Sequence, residues 1–273
     1  RTLLDGAGSK ADLVSKIERV EALEHLTGII EHSDAVMVAR GDLSVEIGSA
    51  EVPTNQKMIL KKSRELEKIG ITATQMMESM ITSPTPTRAE VSDVANAVLD
   101  GTDVVMLSAE TATGAFPVEV IKAMDRICLA AEKYRGVKSL KNVSTLQFDR
   151  VDEAIAVASM IIANHVDIKA IVALTESGHT AKLMSRVRSH IPIFAFTRNL
   201  ATMQKMTLYR GVFPIHFDST RMSKNYVNRA AVDELLNIGE VKEGDLVLLT
   251  SGDHMGVLGG TNKMKIVKAG EVV

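Results

Sequence analysis

The sequence predicts an α/β protein in two domains, and three observations carry that expectation. Short apolar runs alternate with longer amphipathic segments along the chain, the signature of strand-helix units around a parallel sheet. Polar residues repeatedly follow the apolar runs, at the strand ends where (β/α) barrels collect their active-site groups. The core has to be aliphatic and thioether-rich, with 14 Met, no Trp and 45% hydrophobic residues among 273, which suits helices packed on parallel strands.

Residues 13–17 read as the first strand and 20–31 as a helix. Residues 35–39 form the next strand, 56–68 a charged amphipathic helix, 71–74 a short strand and 89–99 a helix. Residues 103–107 read as a strand buried on both faces. Residues 117–134 close the series as a helix, with Pro117 at its start where a missing N–H costs least. Four units cannot close an eight-stranded barrel, so residues 1–137 are expected to form half of a (β/α)8 TIM barrel, or else a smaller open sheet. Residues 138–150 are polar and aperiodic, include Asn142 and Ser144, and read as a linker. Residues 151–273 then read as helix 152–164, strand 170–174, helix 180–188, strand 193–196, helix 200–209, strand 212–217 and helix 223–237. Strand 246–249 follows ahead of a Gly-rich loop, and 263–268 is expected as an antiparallel edge strand of a doubly wound sheet.

The 32 basic and 34 acidic residues nearly cancel and are scattered, so no stripe is available to neutralise a phosphate backbone and nucleic acid is not expected as a partner. Cys128 is the single cysteine and lies in an apolar helical stretch, which suggests a buried thiol and no disulfide. No run approaches the roughly 18 apolar residues of a membrane span, and the first residues lack the pattern of a signal peptide. A cytoplasmic protein with no membrane association is expected.

Lys16 and Glu18 stand two apart on a strand and leave it on the same face. Asp42 follows the neighbouring strand, whose end lies within about 5 Å laterally, near enough for Glu18 and Asp42 to share one metal. Two carboxylates with open positions around them suit Mg²⁺ or Mn²⁺ and phosphate substrates. The plainer alternative is an ion-pair cluster of Lys16, Glu18, Arg40 and Asp42 at a barrel rim. In the second domain, Thr175-Glu176-Ser177-Gly178-His179-Thr180 joins a strand end to a helix start, where free N–H groups and hydroxyls form a natural phosphate cradle. Its alternative is an ordinary helix cap by Ser177 or Thr180. His25 and His32 read as solvent-facing, and Met76, Met77 and Met80 as packing. The proline-rich segment 83–88 reads as a rigid loop ahead of a helix, with Arg88 in a structural role.

The balance shifts with the longer strings Val14-Ser15-Lys16-Ile17-Glu18-Arg19, Met37-Val38-Ala39-Arg40-Gly41-Asp42-Leu43, Thr72-Ala73-Thr74-Gln75-Met76-Met77-Glu78 and Met106-Leu107-Ser108-Ala109-Glu110-Thr111-Ala112. In this order and spacing they resemble the pyruvate kinase family. The likeness extends through Thr175-Glu176-Ser177-Gly178 and Leu208-Tyr209-Arg210-Gly211-Val212 to Gly260-Thr261-Asn262. Ala109 and the paired Met76-Met77 make the chain most similar to bacterial members activated by sugar phosphates and AMP.

The resemblance implies phosphoryl transfer from phosphoenolpyruvate to ADP, giving pyruvate and ATP in glycolysis, with Mg²⁺ (or Mn²⁺) and K⁺ as cofactors. It implies that Lys16 lies beside the transferring group and the enolate oxygen, that Glu18 and Asp42 bind the divalent ion, and that N–H groups of a Gly41-Asp42 turn meet the substrate carboxylate. Thr74 would donate to that carboxylate, Arg40 would serve the substrate site by shaping the turn, and Ser108 would join a water relay to the enolate carbon. Thr175, Ser177, Gly178, His179 and Thr180 would hold a sugar-phosphate or AMP effector, facing Ser251-Gly252 and Gly259-Gly260-Thr261. His179 stands where related chains often carry Arg or Lys. A homotetramer is implied for the intact protein.

The family's amino-terminal strand, its Asn-x-Ser-His-Gly turn, its potassium ligands and its lid domain are not seen in this sequence. The chain alone is therefore expected not to turn over. Ser44 replaces a usual Gly, and Gly70 is expected to loosen the third strand by roughly 0.5–1 kcal/mol. Two rival functions are a Mg²⁺-dependent lyase acting on pyruvate enolates, and a non-catalytic sugar-phosphate or nucleotide sensor.

Overall fold

The computed structural model describes residues 1–133, 147–187, 189–220, 222–253 and 259–271, and the chain divides into two compact units, Arg1–Val137 and Lys138–Val273. Of the expected linker, 138–146 with Asn142 and Ser144 lies outside the described residues.

The first unit opens with helix α1 (Thr2–Gly6) and carries four parallel strands in the order β1 (Val14–Ile17), β2 (Ala35–Ala39), β3 (Ile69–Ala73) and β4 (Val104–Val105). Helices α2 (Val20–Glu24) and α3 (Leu26–Glu31) cross from β1 to β2. Helices α4 (Arg40–Ile47) and α5 (Val52–Glu65) cross from β2 to β3, and α6 (Arg88–Asp100) from β3 to β4. The short helix α7 (Ala109–Ala112) and the long α8 (Pro117–Glu132) follow. Parallel strands covered on both faces need apolar residues in succession rather than in alternation. β3 meets that demand with five buried residues in a row. The sheet packs on Leu26, Ile30, Leu43, Ile59 and Leu60 on one side of its length. Beyond the β3 end, Met76, Met77 and Met80 pack with Val94, Ala97, Val120 and Met124 of α6 and α8.

Several elements depart from expectation. The helix expected over 20–31 breaks at His25; its second half, α3, supplies the buried Leu26 and Ile30, while α2 packs Ala22 and Leu23 against the core half-buried. His25 and His32 are both exposed. The strand expected over 103–107 shrinks to Val104–Val105, half-buried rather than buried on both faces, because it pairs only with β3 and stands at the end of the sheet. The turn expected at Gly41-Asp42 is the first turn of α4, which begins at the residue after β2. Gly70 has a packing role besides its cost to the strand: a Cβ there would stand 2.8 Å from Leu60 Cδ2, so the missing side chain lets α5 lie close on β3. The proline-containing loop ends in a capping box at α6, with Thr87 Oγ1 accepting from Glu90 N and Glu90 Oε2 accepting from Thr87 N at 2.8 Å.

The second unit is a five-stranded sheet in the order β7 (Val212–His216), β6 (Ile193–Thr197), β5 (Ile168–Leu174), β8 (Leu246–Gly252) and β9 (Thr261–Lys268). Among the described residues only β9 runs antiparallel, on β8 at the edge. Helix α9 (Val151–His165) precedes β5, and α10 (His179–Arg186), α11 (Leu200–Met206) and α12 (Lys224–Asn237) connect the strands that follow. One face of the sheet, Ala170, Val172, Phe194, Phe196, Val247 and Leu249, packs on Ala231, Val232 and Leu235 of α12. α9 and α10 pack on one another and on the strands. The chain leaves β5 toward β6 but returns from β7 to β8 on the other side, so the crevice between the ends of β5 and β8 is the topological switch point where doubly wound sheets bind ligands. Among the described residues no helix is long and apolar enough to cross a membrane.

Candidate functional site

Parallel pairing places Lys16 opposite Met37 and Ile17 opposite Val38, which brings the end of β1 beside the end of β2. The Lys16 ammonium reaches both carboxylates, at 2.6 Å from Glu18 Oε2 and 3.5 Å from Asp42 Oδ2. The contact with Glu18 does most to raise the Lys16 ammonium above its ordinary pKa; desolvation opposes it next, and the charges of Glu18 and then Asp42 add to the rise. Glu18 Oε2 is shut off from solvent and makes no aligned hydrogen bond, so its nearness to Lys16 is an ion pair without hydrogen-bond geometry. A buried carboxylate oxygen left in that state has capacity for a further cationic ligand. No group of three or more His, Cys, Asp or Glu converges as a metal cage among the described residues. Glu18 and Asp42 are a two-carboxylate set, which fits a hard ion that takes its other ligands from water and substrate.

The ends of β2 and β3 are locked together by consecutive residues. Arg40 is 7% exposed, and its guanidinium donates to Ala73 O (3.3 Å), Thr74 O (2.7 Å), Gln75 O (3.0 Å) and Asp93 Oδ1 (2.7 Å). Those carbonyls belong to a turn in which Thr74 and Gln75 both take positive φ, 65° and 53°. Two such non-glycine residues in succession cost of order 1–3 kcal/mol each, and the charge-assisted bonds from Arg40 offset that strain. Gly41 N donates to Thr74 Oγ1 at 2.9 Å, and Thr74 Oγ1 donates to Ala73 O at 2.7 Å. Asp42 therefore sits beside a hydrogen bond from the α4 backbone to the Thr74 side chain in the turn after β3, in a first helical turn where N–H groups have no intrahelical acceptor. Ser44, in the usual place of a Gly, donates to Gly41 O at 2.7 Å and leaves the turn intact.

Ser108 stands just before α7 and its hydroxyl caps nothing. Among the described residues it shares no hydrogen bond or ion pair with Lys16, Glu18 or Asp42; the link to its neighbours is Glu110. That carboxylate, 3% exposed, accepts from Ser108 N at 2.7 Å and from Met77 N at 3.4 Å, joining the β4 end to the loop after β3. Glu110 and Asp93 are the supporting residues that sequence reasoning passed over. The only signal for Glu110 is an acidic residue in the first turn of a helix. Glu90 gives similar support: burial alone would raise its carboxyl, but donors from Ser79 and Thr87 hold it below the ordinary range.

In the second unit, a cleft at the switch point is lined by Thr175, Ser177, His179 and Thr180 on one side and by Ser251, Gly252 and Gly259–Thr261 on the other. The cap of α10 is Gly178, in the left-handed region at φ 77°, with no side-chain cap bond. Neither Ser177 nor Thr180 is the capping residue. A Cβ at Gly178 would stand 2.8 Å from Met206 Cγ, a second reason for glycine there. Thr175 Oγ1 accepts from Gly178 N at 2.9 Å, and Ser177 Oγ from His179 N at 3.4 Å. Thr180 and Thr261 share a buried hydroxyl bond of 2.6 Å, tying the two walls together. Behind the cleft, Asp152 accepts from Arg150 at 3.0 Å and 2.5 Å and lies 3.5 Å from His179 Nε2. Burial would raise the Asp152 carboxyl, but Arg150 first and His179 after it hold it below the usual carboxylate range.

A family model described as "Pyruvate kinase, barrel domain" matches residues 1–121, and one described as "Pyruvate kinase, alpha/beta domain" matches residues 153–267. The chain is 51% identical to pyruvate kinase II of Salmonella typhimurium, over 98% of this chain and 56% of that protein. It is 48% identical to a pyruvate kinase of Buchnera aphidicola (96% and 55%) and 48% identical to one of Haemophilus influenzae (92% and 53%). The chain thus spans about half the length of the curated relatives it matches. It belongs to the pyruvate kinase family, carrying part of the barrel followed by the carboxyl-terminal α/β domain.

Proposed function

We propose, with membership of that family as the premise, that the protein represented by this chain transfers the phosphoryl group of phosphoenolpyruvate to ADP. The single observation that supports this most is the ammonium of Lys16 against the two carboxylates Glu18 and Asp42 at adjacent strand ends. A Mg²⁺ or Mn²⁺ ion on Glu18 and Asp42 would neutralise charge on the phosphoryl and enolate oxygens. Lys16 then turns its fixed positive charge to the oxygen on which negative charge grows, a preorganised stabilisation. The Asp42 N–H meets the substrate carboxylate from the first turn of α4. Thr74 joins it by moving its proton from Ala73 O to the same carboxylate, while Gly41 N–H keeps the hydroxyl in place. Arg40 serves by positioning, since its donors already meet protein acceptors. Ser108 hands a water-borne proton toward the enolate carbon. K⁺ would complete the cofactor set of the intact enzyme, a cytoplasmic glycolytic homotetramer.

The cleft of the second unit is read as the site of a phosphorylated effector, a sugar phosphate or AMP, held by Thr175, Ser177, Gly178, His179 and Thr180. Four barrel strands do not build a complete nucleotide site, so this chain by itself is expected to form no ATP.

The test is a crystal of the protein soaked with Mn²⁺. An anomalous peak between Glu18 and Asp42, lost in Glu18→Gln, is the expected result. A peak elsewhere, or none at saturating Mn²⁺, removes the chemical basis of the kinase reading. Pyruvate released without ADP would favour the lyase alternative instead.

A further inference from the structure

The buried carboxylate of Asp152 has no part in the chemistry of the first unit, and its surroundings are unusual for a charge. Only 2% of the residue is exposed. An ionised carboxylate removed from water has to be paired to persist, and Arg150 supplies that pairing through Nε and Nη2. Arg150 is itself largely solvent-accessible, with 46% of its side chain exposed, so the pair would be satisfied just as well at the surface. Instead the carboxylate is sunk against the back of the effector cleft. Its Oδ2 is 3.5 Å from His179 Nε2, and a Cβ at Gly259 would lie 3.5 Å from the same oxygen. His179 and Gly259 belong to opposite walls of that cleft. Arg150 Nη2 also touches the same His179 Nε2, and since one ring nitrogen cannot both accept from the guanidinium and donate to Asp152, the Arg150–Asp152 pair holds the imidazole edge as a unit.

We propose that Asp152 is a positioning residue for anion binding: backed by Arg150, it fixes the His179 ring and seats the Gly259 wall, and so sets the width and polarity of the cleft. This deepens the reading of that cleft as an effector site and rests on it. The ligand class is a small phosphorylated molecule, whose phosphate would meet the α10 start with His179 beside it. An orienting role differs from the simpler one in which Asp152 only complements the first turn of α9. A helix-start role would change stability without reference to His179.

A double-mutant cycle separates the two. Calorimetric titration of ribose 5-phosphate into the 273-residue chain is expected to show about tenfold weaker binding for Asp152→Asn. In a His179→Asn background the same change should weaken binding less than twofold, because the side chain through which Asp152 acts is gone. Equal losses in both backgrounds would overturn the proposal, as would an unchanged dissociation constant in Asp152→Asn. If Asp152→Asn does not fold, Arg150→Gln replaces it, with about threefold weakening expected and the same cancellation by His179→Asn. Absence of binding by the parent chain, to AMP as well as ribose 5-phosphate, would overturn the effector reading and this inference with it. Parent binding that ignores Asp152 would overturn the inference alone.

Discussion

The strand ends of the two units solve opposite problems with charge. In the first, Lys16 and Asp42 are largely exposed, and Glu18 keeps an oxygen that no aligned donor satisfies. In the second, the buried carboxylate of Asp152 is engaged by Arg150 and His179, and the cleft is lined by hydroxyls and backbone together with His179 and the paired charges of Glu176 and Arg198, 3.1 Å apart. The difference follows the chemistry each is read to perform. A site that must stabilise charge appearing on a substrate keeps a carboxylate under-satisfied, whereas a site that must hold an anion already formed adds hydroxyl and backbone donors and keeps its own charges paired.

The largest test of that contrast is Lys16→Met in a protein carrying the complete barrel. Removing a preorganised charge that acts on the transition state is expected to lower kcat by about 10²–10³-fold, with a small change in the KM for phosphoenolpyruvate. A change confined to KM would place Lys16 in ground-state binding and erase the contrast. Arg40→Met comes next. It leaves Asp93 without its 2.7 Å partner and the strained Thr74-Gln75 turn without donors, and should destabilise the first unit by about 3 kcal/mol in urea titration. A loss below about 1 kcal/mol would mean that the turn holds itself. Gly70→Ala is the smallest. Its new methyl meets the end of the flexible Leu60 side chain, so a loss of about 1 kcal/mol is expected where a simple propensity argument predicts a gain.

Much of the fold was legible because burial on two faces writes itself as apolar runs. β2 falls at residues 35–39 as expected, and the edge position and antiparallel direction of β9 agree with a pattern of alternating charged and apolar residues. β4 was overextended because its sequence is as apolar as a central strand while its position is terminal, and position in a sheet is not a local property. α4 was hidden for a different reason. Arg40-Gly41-Asp42 reads as a turn by composition, yet the Arg40 side chain finds its acceptors more than thirty residues further along the chain. The left-handed backbone at Thr74 and Gln75 leaves no trace in residue type, since neither is glycine or asparagine. In the candidate site, Lys16, Glu18 and Asp42 were legible from two-residue alternation and strand adjacency. Asp93, Glu110 and Asp152 were not, because each acts on its neighbours through contacts set by tertiary structure.

The start of α4 has a mechanical consequence. β2 passes into the helix with no intervening loop, Arg40 grips the far turn, Gly41 touches it, and Asp42 is the very next residue. A linkage so short has no slack: a displacement of Thr74 would be carried through Gly41 to the Asp42 backbone. Any rearrangement that moves one will be felt by the other in synchrony, without a hinge to absorb it.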